Sequence, residues 1–273
     1  MKTVCRLCPH ECELESGQTG FCNARANVDG SIKCTNYGRL TSIALDPIEK
    51  KPLLHFYPGK NILSVGSFGC NLRCPFCQNY SISMAKAETT YVSPEKLIDT
   101  AESLTDTHNN IGIAFTYNEP LISYEYVLDC CTLAHDKGLK TVLVTNGMIL
   151  EKPLLNLLPY VDAMNIDLKG FSQSFYSWID GDFETVKNTI AVSVKHCHVE
   201  ITTLIIPGKN DSECDMNSEA QWIASLNTEI PLHITRFFPR YKLRNTAATP
   251  VEKIYSLCDT AKRYLKHVYP GNC

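Results

Sequence analysis

From about residue 60 onward, short apolar runs of strand length alternate with longer segments of helical periodicity. The predicted strands are 61–67, 111–117, 140–146, 162–168, 198–206 and 231–237. The predicted helices are 94–107, 121–137, 152–158, 183–195, 215–226 and 250–266, the last with Thr249 as N-cap and Pro250 in its first turn. Such alternation predicts an α/β fold with a parallel sheet. Six units are too few for a closed eight-stranded barrel, and barrel-type sheets place their sites at the carboxyl ends of strands.

Residues 1–58 lack a strong hydrophobic period and are rich in cysteine, glycine and turn-forming residues. They predict an irregular N-terminal module ahead of a core that covers residues 59–273. Spacings of two, three and nine residues separate four of its cysteines, which are Cys5, Cys8, Cys12 and Cys22. Four thiolates close a tetrahedral zinc site or fully ligate an iron–sulfur cubane, and a metal adds folding energy to a small module. The sequence therefore predicts a structural or electron-relaying metal site, with zinc and a second iron–sulfur cluster both open.

Three further thiols, those of Cys70, Cys74 and Cys77, fall within eight residues after the first predicted strand. Their spacing also fits the apolar stripe of a helix, but Pro75 disfavours helical backbone at this point. A zinc site is a second alternative, although zinc ligands usually come as two separated pairs. A cubane normally takes four thiolates. The sequence therefore predicts a loop that holds a [4Fe–4S] cluster with one iron open.

Polar residues gather where the second, third and fourth predicted strands end. They are Tyr117, Asn118 and Glu119, then Thr145 and Asn146, then Asp167 and Lys169. Because side chains alternate along a strand, Asn165, Asp167 and Lys169 share one face of the fourth strand. The other face is apolar and suits covering helices. Asp167 and Lys169 can pair with each other or with a zwitterionic ligand inside the fold, and the alternative is an ion pair that faces solvent.

The cysteine loop, with Phe76 before its third cysteine, resembles the Cys-x3-Cys-x-aromatic-Cys signature of the radical S-adenosylmethionine (SAM) superfamily. The resemblance implies a partial (β/α)6 barrel of radical SAM type. It also implies that the three cysteines hold a [4Fe–4S] cluster, that SAM chelates the open iron, and that Phe76 packs near the adenine of SAM.

Other segments resemble the activases of glycyl-radical enzymes, namely Thr145-Asn146-Gly147 and Asp167-x-Lys169. That likeness implies that Lys169 meets the SAM carboxylate. It also implies that Tyr117-Asn118-Glu119 stands where the superfamily meets the SAM amino group, although the usual glycines are missing. Three positions depart from the activase pattern, with Val144, Thr202 and Tyr241 in place of an aspartate, an arginine and a histidine.

A likeness over nearly the whole chain is to the AmmeMemoRadiSam-system radical SAM enzymes. It is carried by Cys5-Arg6-Leu7-Cys8-Pro9-His10-Glu11-Cys12, Gly20-Phe21-Cys22, the segment 46–59, the cysteine loop and Thr116-Tyr117-Asn118-Glu119-Pro120. It implies a radical SAM enzyme, oxidoreductase-like or activase-like, whose 5′-deoxyadenosyl radical abstracts hydrogen from an unknown protein or small molecule. His233 and Arg236 are candidates for substrate contact. The alternatives are a glycyl-radical-enzyme activase of the pyruvate formate-lyase type and a non-catalytic iron–sulfur or zinc protein.

Composition excludes several other classes of protein. The 273 residues carry 26 basic and 29 acidic side chains, so no basic footprint for nucleic acid is present. No apolar run reaches the ~20 residues of a membrane span, and the first residues lack the apolar stretch of a secretory signal. Clustering among the 14 cysteines indicates metal binding rather than disulfides. We therefore predict a cytoplasmic protein that draws electrons from a donor of flavodoxin or ferredoxin type.

Overall fold

The computed structural model describes residues 2–85 and 87–273. In chain order the strands are β1 (Thr3–Val4), β2 (Glu13–Leu14), β3 (Arg25–Val28), β4 (Ser31–Cys34), β5 (Arg39–Leu40), β6 (Ser42–Pro47), β7 (Asn61–Gly66), β8 (Thr90–Tyr91), β9 (Asn110–Phe115), β10 (Lys140–Thr145), β11 (Ala163–Asp167), β12 (His198–Ile205), β13 (Leu232–Arg236) and β14 (Val268–Gly271). The α-helices are α1 (Tyr80–Ser83), α2 (Pro94–Ser103), α3 (Thr105–His108), α4 (Tyr124–Asp136), α5 (Glu151–Leu157), α6 (Gln173–Trp178), α7 (Phe183–Ser193), α8 (Glu213–Leu226) and α9 (Val251–Ala261). Among the described residues, no helix is long and apolar enough to cross a membrane.

Within the described residues the core is an eight-stranded sheet in the order β14-β13-β12-β11-β10-β9-β7-β6. From β7 to β14 its neighbouring strands run parallel, while β6 lies antiparallel to β7 at the edge. The α/β fold with a mostly parallel sheet is therefore as predicted. Because the parallel strands follow one another in chain order, their carboxyl ends meet at one edge of the sheet, where sites of such folds form.

All of the predicted strands are present, and each is one or two residues shorter than predicted. The predicted helix 94–107 is instead the pair α2 and α3, with a turn at Leu104. The strands β6 and β14 and the helix α6 were not predicted. The strand β14 contains Pro270, and proline in a sequence argues against a strand because it lacks a backbone N–H. A strand at the edge of a sheet tolerates proline, and β14 lies at such an edge.

Thr249 was wrongly predicted to cap the last helix. The helix α9 begins at Val251, and the residue at its N-cap position is Pro250, which makes no capping hydrogen bond. The Thr249 hydroxyl instead donates to the carbonyl of Ile205 at 2.5 Å and accepts from the N–H of Phe237 at 3.3 Å. Thr249 is fully buried, so its side chain is needed to satisfy backbone groups at the ends of β12 and β13.

The segment between β6 and β7 packs against one face of the core sheet. Ile48, Leu53 and Phe56 form an apolar cluster with Ile62, Ala114, Val142 and Ala163 of four neighbouring strands. The amide of Asn165 donates to the carbonyl of Pro52 at 2.8 Å. The N-terminal 58 residues thus supply both an edge strand and a covering segment to the core, and their boundary as a separate module stays a prediction.

Candidate active site

A cavity of about 550 Å³ opens at the carboxyl ends of the parallel strands, a size typical of small-molecule sites. Its wall includes most of the predicted site residues, namely Cys70, Cys74, Phe76, Cys77, Tyr117, Asn118, Glu119, Asn146, Asp167 and Lys169. The cavity is also lined by residues that the sequence had not assigned to a site, among them Lys50, Lys51, Pro52, Thr235 and Arg240. The fold therefore brings the cysteine loop and the strand-end polar residues to one place.

The cysteine loop is irregular, as Pro75 predicted, and the short helix α1 begins only at Tyr80. Its path is held by Asn71, whose side chain donates to the carbonyl of Met148 at 2.7 Å and accepts from Asn146 at 2.9 Å. The same amide group of Asn146 lies 3.6 Å from the sulfur of Cys70. Asn146 is therefore placed to donate to a thiolate at Cys70.

Burial dominates the electrostatics of the three thiols. It raises the pKa of Cys74 to about 12 and raises the pKa values of Cys70 and Cys77, although the Lys169 ammonium lowers those of Cys74 and Cys77. Since metal ligation requires the thiolate, binding of a cluster at these residues must release protons. The loop supplies the ligands. The positive charge of the bound iron has to offset the free-energy cost of burying their thiolates.

Glu119 is a buried carboxylate that organises the ends of β9 and β10. It accepts hydrogen bonds from the Thr145 hydroxyl at 2.7 Å, from the Asn146 N–H at 2.7 Å and from the Leu121 N–H at 2.9 Å. Burial raises the pKa of Glu119 to about 7 in spite of these donors. Thr145 is not part of the cavity wall, because its hydroxyl donates to Glu119, and its contact with the cofactor stays a prediction.

The side chains of Tyr117 and Asn118 form hydrogen bonds with other segments of the chain. The Tyr117 hydroxyl donates to Asp46 at 2.8 Å, and the same carboxylate pairs with Lys51 at 2.8 Å. Asn118 accepts from the N–H of Ser67 at 2.9 Å and donates to backbone carbonyls of the cysteine loop. The segment 46–51 was singled out only by resemblance, and its link to Tyr117 could not be read from local pattern.

Asp167 and Lys169 form an ion pair of 2.7 Å on the cavity wall. Burial disfavours the ammonium, but Asp167 and the nearby thiols of Cys74 and Cys77 raise the pKa of Lys169 above its usual value. The alternating faces of β11 are as predicted, since Met164 and Ile166 are fully buried on the other side. The pair thus presents both an ammonium and a carboxylate to whatever occupies the cavity.

Of the two candidates for substrate contact, one lines the cavity and the other does not. Arg236 lines the cavity, with its Nε donating to the carbonyl of Thr249 at 2.6 Å. His233 does not reach the cavity wall, because its ring is hydrogen-bonded to the buried carboxylate of Glu200 at 2.6 Å. Tyr241 stacks on Tyr80 with ring centroids 4.6 Å apart, which joins the loop after β13 to the cysteine loop.

The four N-terminal cysteines, Cys5, Cys8, Cys12 and Cys22, surround a second, small cavity together with Phe21 and Arg25. All of the cysteines are free thiols. Over residues 2–85 and 87–273, no three Cys, His, Asp or Glu side chains are gathered as ligands of a single metal ion would be. Neither the N-terminal cysteines nor those of the cysteine loop are gathered in this way.

Comparisons with known proteins agree with this arrangement. The sequence profile of the Radical SAM superfamily matches residues 64–218. The chain is 39% identical to the uncharacterized protein MJ0808 of Methanocaldococcus jannaschii, over 99% of this chain and 81% of that protein. It is 27% identical to the pyruvate formate-lyase-activating enzyme of Clostridium pasteurianum, over 77% of this chain and 92% of that protein. A crystal structure of a radical SAM methyltransferase from Sphaerobacter thermophilus has a similar fold, with a TM-score of 0.59 and 15% identity over 79% of this chain and 67% of that one.

Proposed function

Because the chain belongs to the radical SAM superfamily, whose enzymes use a [4Fe–4S] cluster and SAM, we propose that Cys70, Cys74 and Cys77 ligate the cluster and that the protein reductively cleaves SAM. The observation that carries the proposal is the single cavity that these thiols share with the Asp167–Lys169 pair. Three local thiolates leave one iron of a cubane without a protein ligand. A zwitterion bound there would find both charged partners on the same wall.

When bound, the cluster and SAM supply an electron and a sulfonium whose S–C5′ bond breaks to give methionine and a 5′-deoxyadenosyl radical. The protein's part is to bind, orient and shield. Lys169 would hold the SAM carboxylate, and Asp167 pairs with its ammonium at 2.7 Å. Phe76 is buried against Phe175 and Trp178 on the cavity wall, where it would pack near the adenine of SAM.

The loop after β13 contacts the cysteine loop beside the cavity. The N–H of Lys242 donates to the carbonyl of Pro75 at 2.9 Å, next to the stacked rings of Tyr80 and Tyr241. These contacts tie the loop after β13, whose Phe238 and Arg240 line the cavity, to the cysteine loop and to α1, and we infer that they help to exclude water. Exclusion of water protects a reactive intermediate from side reactions.

The test of this function is the formation of 5′-deoxyadenosine. Protein reconstituted anaerobically with iron and sulfide is mixed with dithionite and SAM, and the products are separated by chromatography. We expect 5′-deoxyadenosine and methionine in equal amounts. Their absence from protein that carries a reducible cluster would overturn the enzymatic function and favour the non-catalytic iron–sulfur or zinc protein.

A second candidate is a glycyl-radical-enzyme activase supplied with electrons by a flavodoxin or ferredoxin. It is supported by Thr145-Asn146-Gly147, by the Asp167–Lys169 pair and by the 27% identity to the activating enzyme of Clostridium pasteurianum. Val144 and Thr202 also line the cavity, where activases carry charged residues, and this difference favours another substrate, as in the AmmeMemoRadiSam-system enzymes. Deuterium transfer from a labelled glycyl peptide into 5′-deoxyadenosine would decide for the activase.

Replacing Lys169 with methionine is expected to weaken SAM binding about 30- to 5000-fold, since a buried charge pair that loses one partner costs about 2–5 kcal/mol. The measurement is a titration of reconstituted protein with SAM, followed by the electron paramagnetic resonance (EPR) spectrum of the reduced cluster. Lys137→Met is the matched control, because Lys137 also pairs with carboxylates but lies on the surface. Equal SAM affinity in Lys169→Met and Lys137→Met would contradict the assigned role.

A further inference from the structure

The lining of the candidate active site carries more positive than negative charge. Among the described residues, the cationic side chains that line the cavity are Lys50, Lys51, Lys169, Arg236 and Arg240. The carboxylates that line it in the same part of the chain are Glu119 and Asp167. Asp167 is paired with Lys169, and Glu119 accepts hydrogen bonds from Thr145 and Asn146. Neither carboxylate is therefore placed to balance the charge of the other cations.

The two lysines that follow β6 share one carboxylate. Lys51 is buried and pairs with Asp46 at 2.8 Å, and the ammonium of Lys50 lies 3.6 Å from the same side chain. The hydroxyl of Tyr117 also donates to Asp46, at 2.8 Å. One negative charge thus faces two ammonium groups, so this side of the cavity keeps a positive charge.

Two arginines stand at the end of β13, and both line the cavity. Arg236 is the last residue of the strand and is half-buried, while Arg240 is exposed. Within residues 2–85 and 87–273, the one ion pair that involves an arginine is that of Arg25 with Glu125. No carboxylate of these residues therefore balances the charge of Arg236 or Arg240.

Contacts with uncharged groups hold the guanidinium of Arg236 in place. Its Nε donates to the carbonyl of Thr249 at 2.6 Å, and its central carbon lies 4.8 Å over the ring of Phe238. Arginine offers donors in a planar fork that matches carboxylate and phosphate, which it often binds through two parallel hydrogen bonds. Because the side chain is already ordered, an anion bound by its terminal nitrogens would cost little further side-chain entropy.

Arg236 is placed apart from the Asp167–Lys169 pair. In the sheet, Asp167 is level with Thr202 of β12, which is level with His233 of β13. The strands β11 and β13 are thus two strand spacings apart, which is about 10 Å. The ammonium of Lys169 is anchored at Asp167, whereas the guanidinium of Arg236 is anchored beyond β13. The two cations therefore offer two separate positions for anions.

We propose that Arg236, together with Arg240, binds an anionic group of the substrate, a carboxylate or a phosphate. The proposal rests on the function proposed above and adds the chemical class of the substrate. Held at the end of β13, the substrate lies in the same cavity as the thiols of the cysteine loop. The excess positive charge of the lining also raises the local concentration of an anionic substrate.

The test is calorimetric titration of the anaerobically reconstituted protein with inorganic phosphate and, separately, with succinate. We expect saturable binding of at least one of these anions. The affinity should fall about 10- to 150-fold in Arg236→Gln, because this variant loses hydrogen bonds to a charged partner. Tighter binding of phosphate would assign a phosphorylated substrate, and tighter binding of succinate one that bears a carboxylate. Failure of the native protein to bind either anion would overturn the proposal.

Arg244→Gln is the matched control. The Nε of Arg244 also donates to a backbone carbonyl, that of Tyr241 at 3.0 Å, but Arg244 does not line the cavity. Arg240→Gln guards against an effect on folding, because Arg240 is exposed, and it should weaken binding as well. Equal affinity for the anions in the Arg236, Arg240 and Arg244 variants would contradict the assignment.

Titration in the presence of SAM separates this proposal from the proposed function. We expect phosphate or succinate to bind also when SAM is bound, since Lys169 and Arg236 are apart. Displacement of the anion by SAM would overturn the substrate site and leave SAM cleavage standing. Anion binding that depends on Arg236 in a protein that forms no 5′-deoxyadenosine would overturn the proposed function and leave the anion site standing.

Discussion

Alanine in place of Cys74 is expected to abolish SAM cleavage and to lower the iron content by about four atoms per chain. Cys74 is buried on the wall of the cavity, and with its sulfur removed the loop offers only Cys70 and Cys77 to the cluster. The fold should survive, because alanine fills most of the space of a small buried thiol. The measurements are the iron and sulfide content and the yield of 5′-deoxyadenosine with dithionite.

The control for this prediction is Cys214→Ala. Cys214 is exposed in the first turn of α8, and removal of its thiol should change neither iron content nor turnover. If Cys74→Ala retained turnover, the cluster would have to be held elsewhere. If both variants lost iron to the same extent, the loss would reflect handling of the protein and not ligation.

The second large effect is expected at Glu200, a fully buried carboxylate of β12. It accepts from the N–H groups of Leu54 and His55 at 3.0 and 2.7 Å and from the rings of His198 and His233 at 3.0 and 2.6 Å. Glu200 therefore binds the segment that follows β6 to the strands β12 and β13. Lys51 and Pro52 of that segment line the cavity, so the carboxylate supports one wall of the candidate site.

We expect Glu200→Ala to lower the free energy of unfolding by about 3–5 kcal/mol, because four donors to a fully buried carboxylate, among them the buried ring of His233, lose their partner at once. The measurement is chemical denaturation followed by circular dichroism. Glu229→Ala is the control, since Glu229 also contacts a histidine and a lysine but is exposed, and surface pairs contribute about 0–1 kcal/mol. Equal losses in the two variants would contradict the role of Glu200.

The pH dependence of stability gives an independent check of Glu200. Burial alone would raise the pKa of this carboxylate, but its hydrogen bonds to His198, His233 and two backbone amides lower it to about 2. A carboxyl with a lowered pKa stabilises the fold fully above its unfolded value, about 4.3, and loses that contribution as the pH falls towards 2. The native protein should therefore lose about 3 kcal/mol more than Glu200→Gln between pH 5 and pH 2.

Several parts of the candidate site follow from local chemistry, and the residues show why. Asp167 and Lys169 face the same cavity because side chains alternate along a strand, so residues two positions apart point to the same side. This could be predicted from the sequence alone. The cysteine loop is irregular because Pro75 cannot continue a helix. The Radical SAM match over residues 64–218 agrees with these local signals.

Other features of the structure could not be predicted because they depend on contacts between distant segments. Thr249 has the residue type of a helix cap, but the carbonyl of Ile205 and the N–H of Phe237 take its hydroxyl. His233 was a candidate for substrate contact, but its ring is hydrogen-bonded to Glu200 and is not part of the cavity wall. In both cases a buried polar group from elsewhere in the chain outweighed a local preference, since an unsatisfied buried group costs about 1–3 kcal/mol.

The six central parallel strands and their alternation with helices, the thiol-bearing loop and the inward face of β11 were determined by the sequence alone, because periodicity and proline act within a few residues. The tertiary structure decided which groups are neighbours. Only packing placed Thr145 against Glu119 and the carbonyl of Cys22 against the N–H of Cys70, through the space left by Gly69. Such contacts join segments that are far apart in the chain, and they form only when the whole core is assembled.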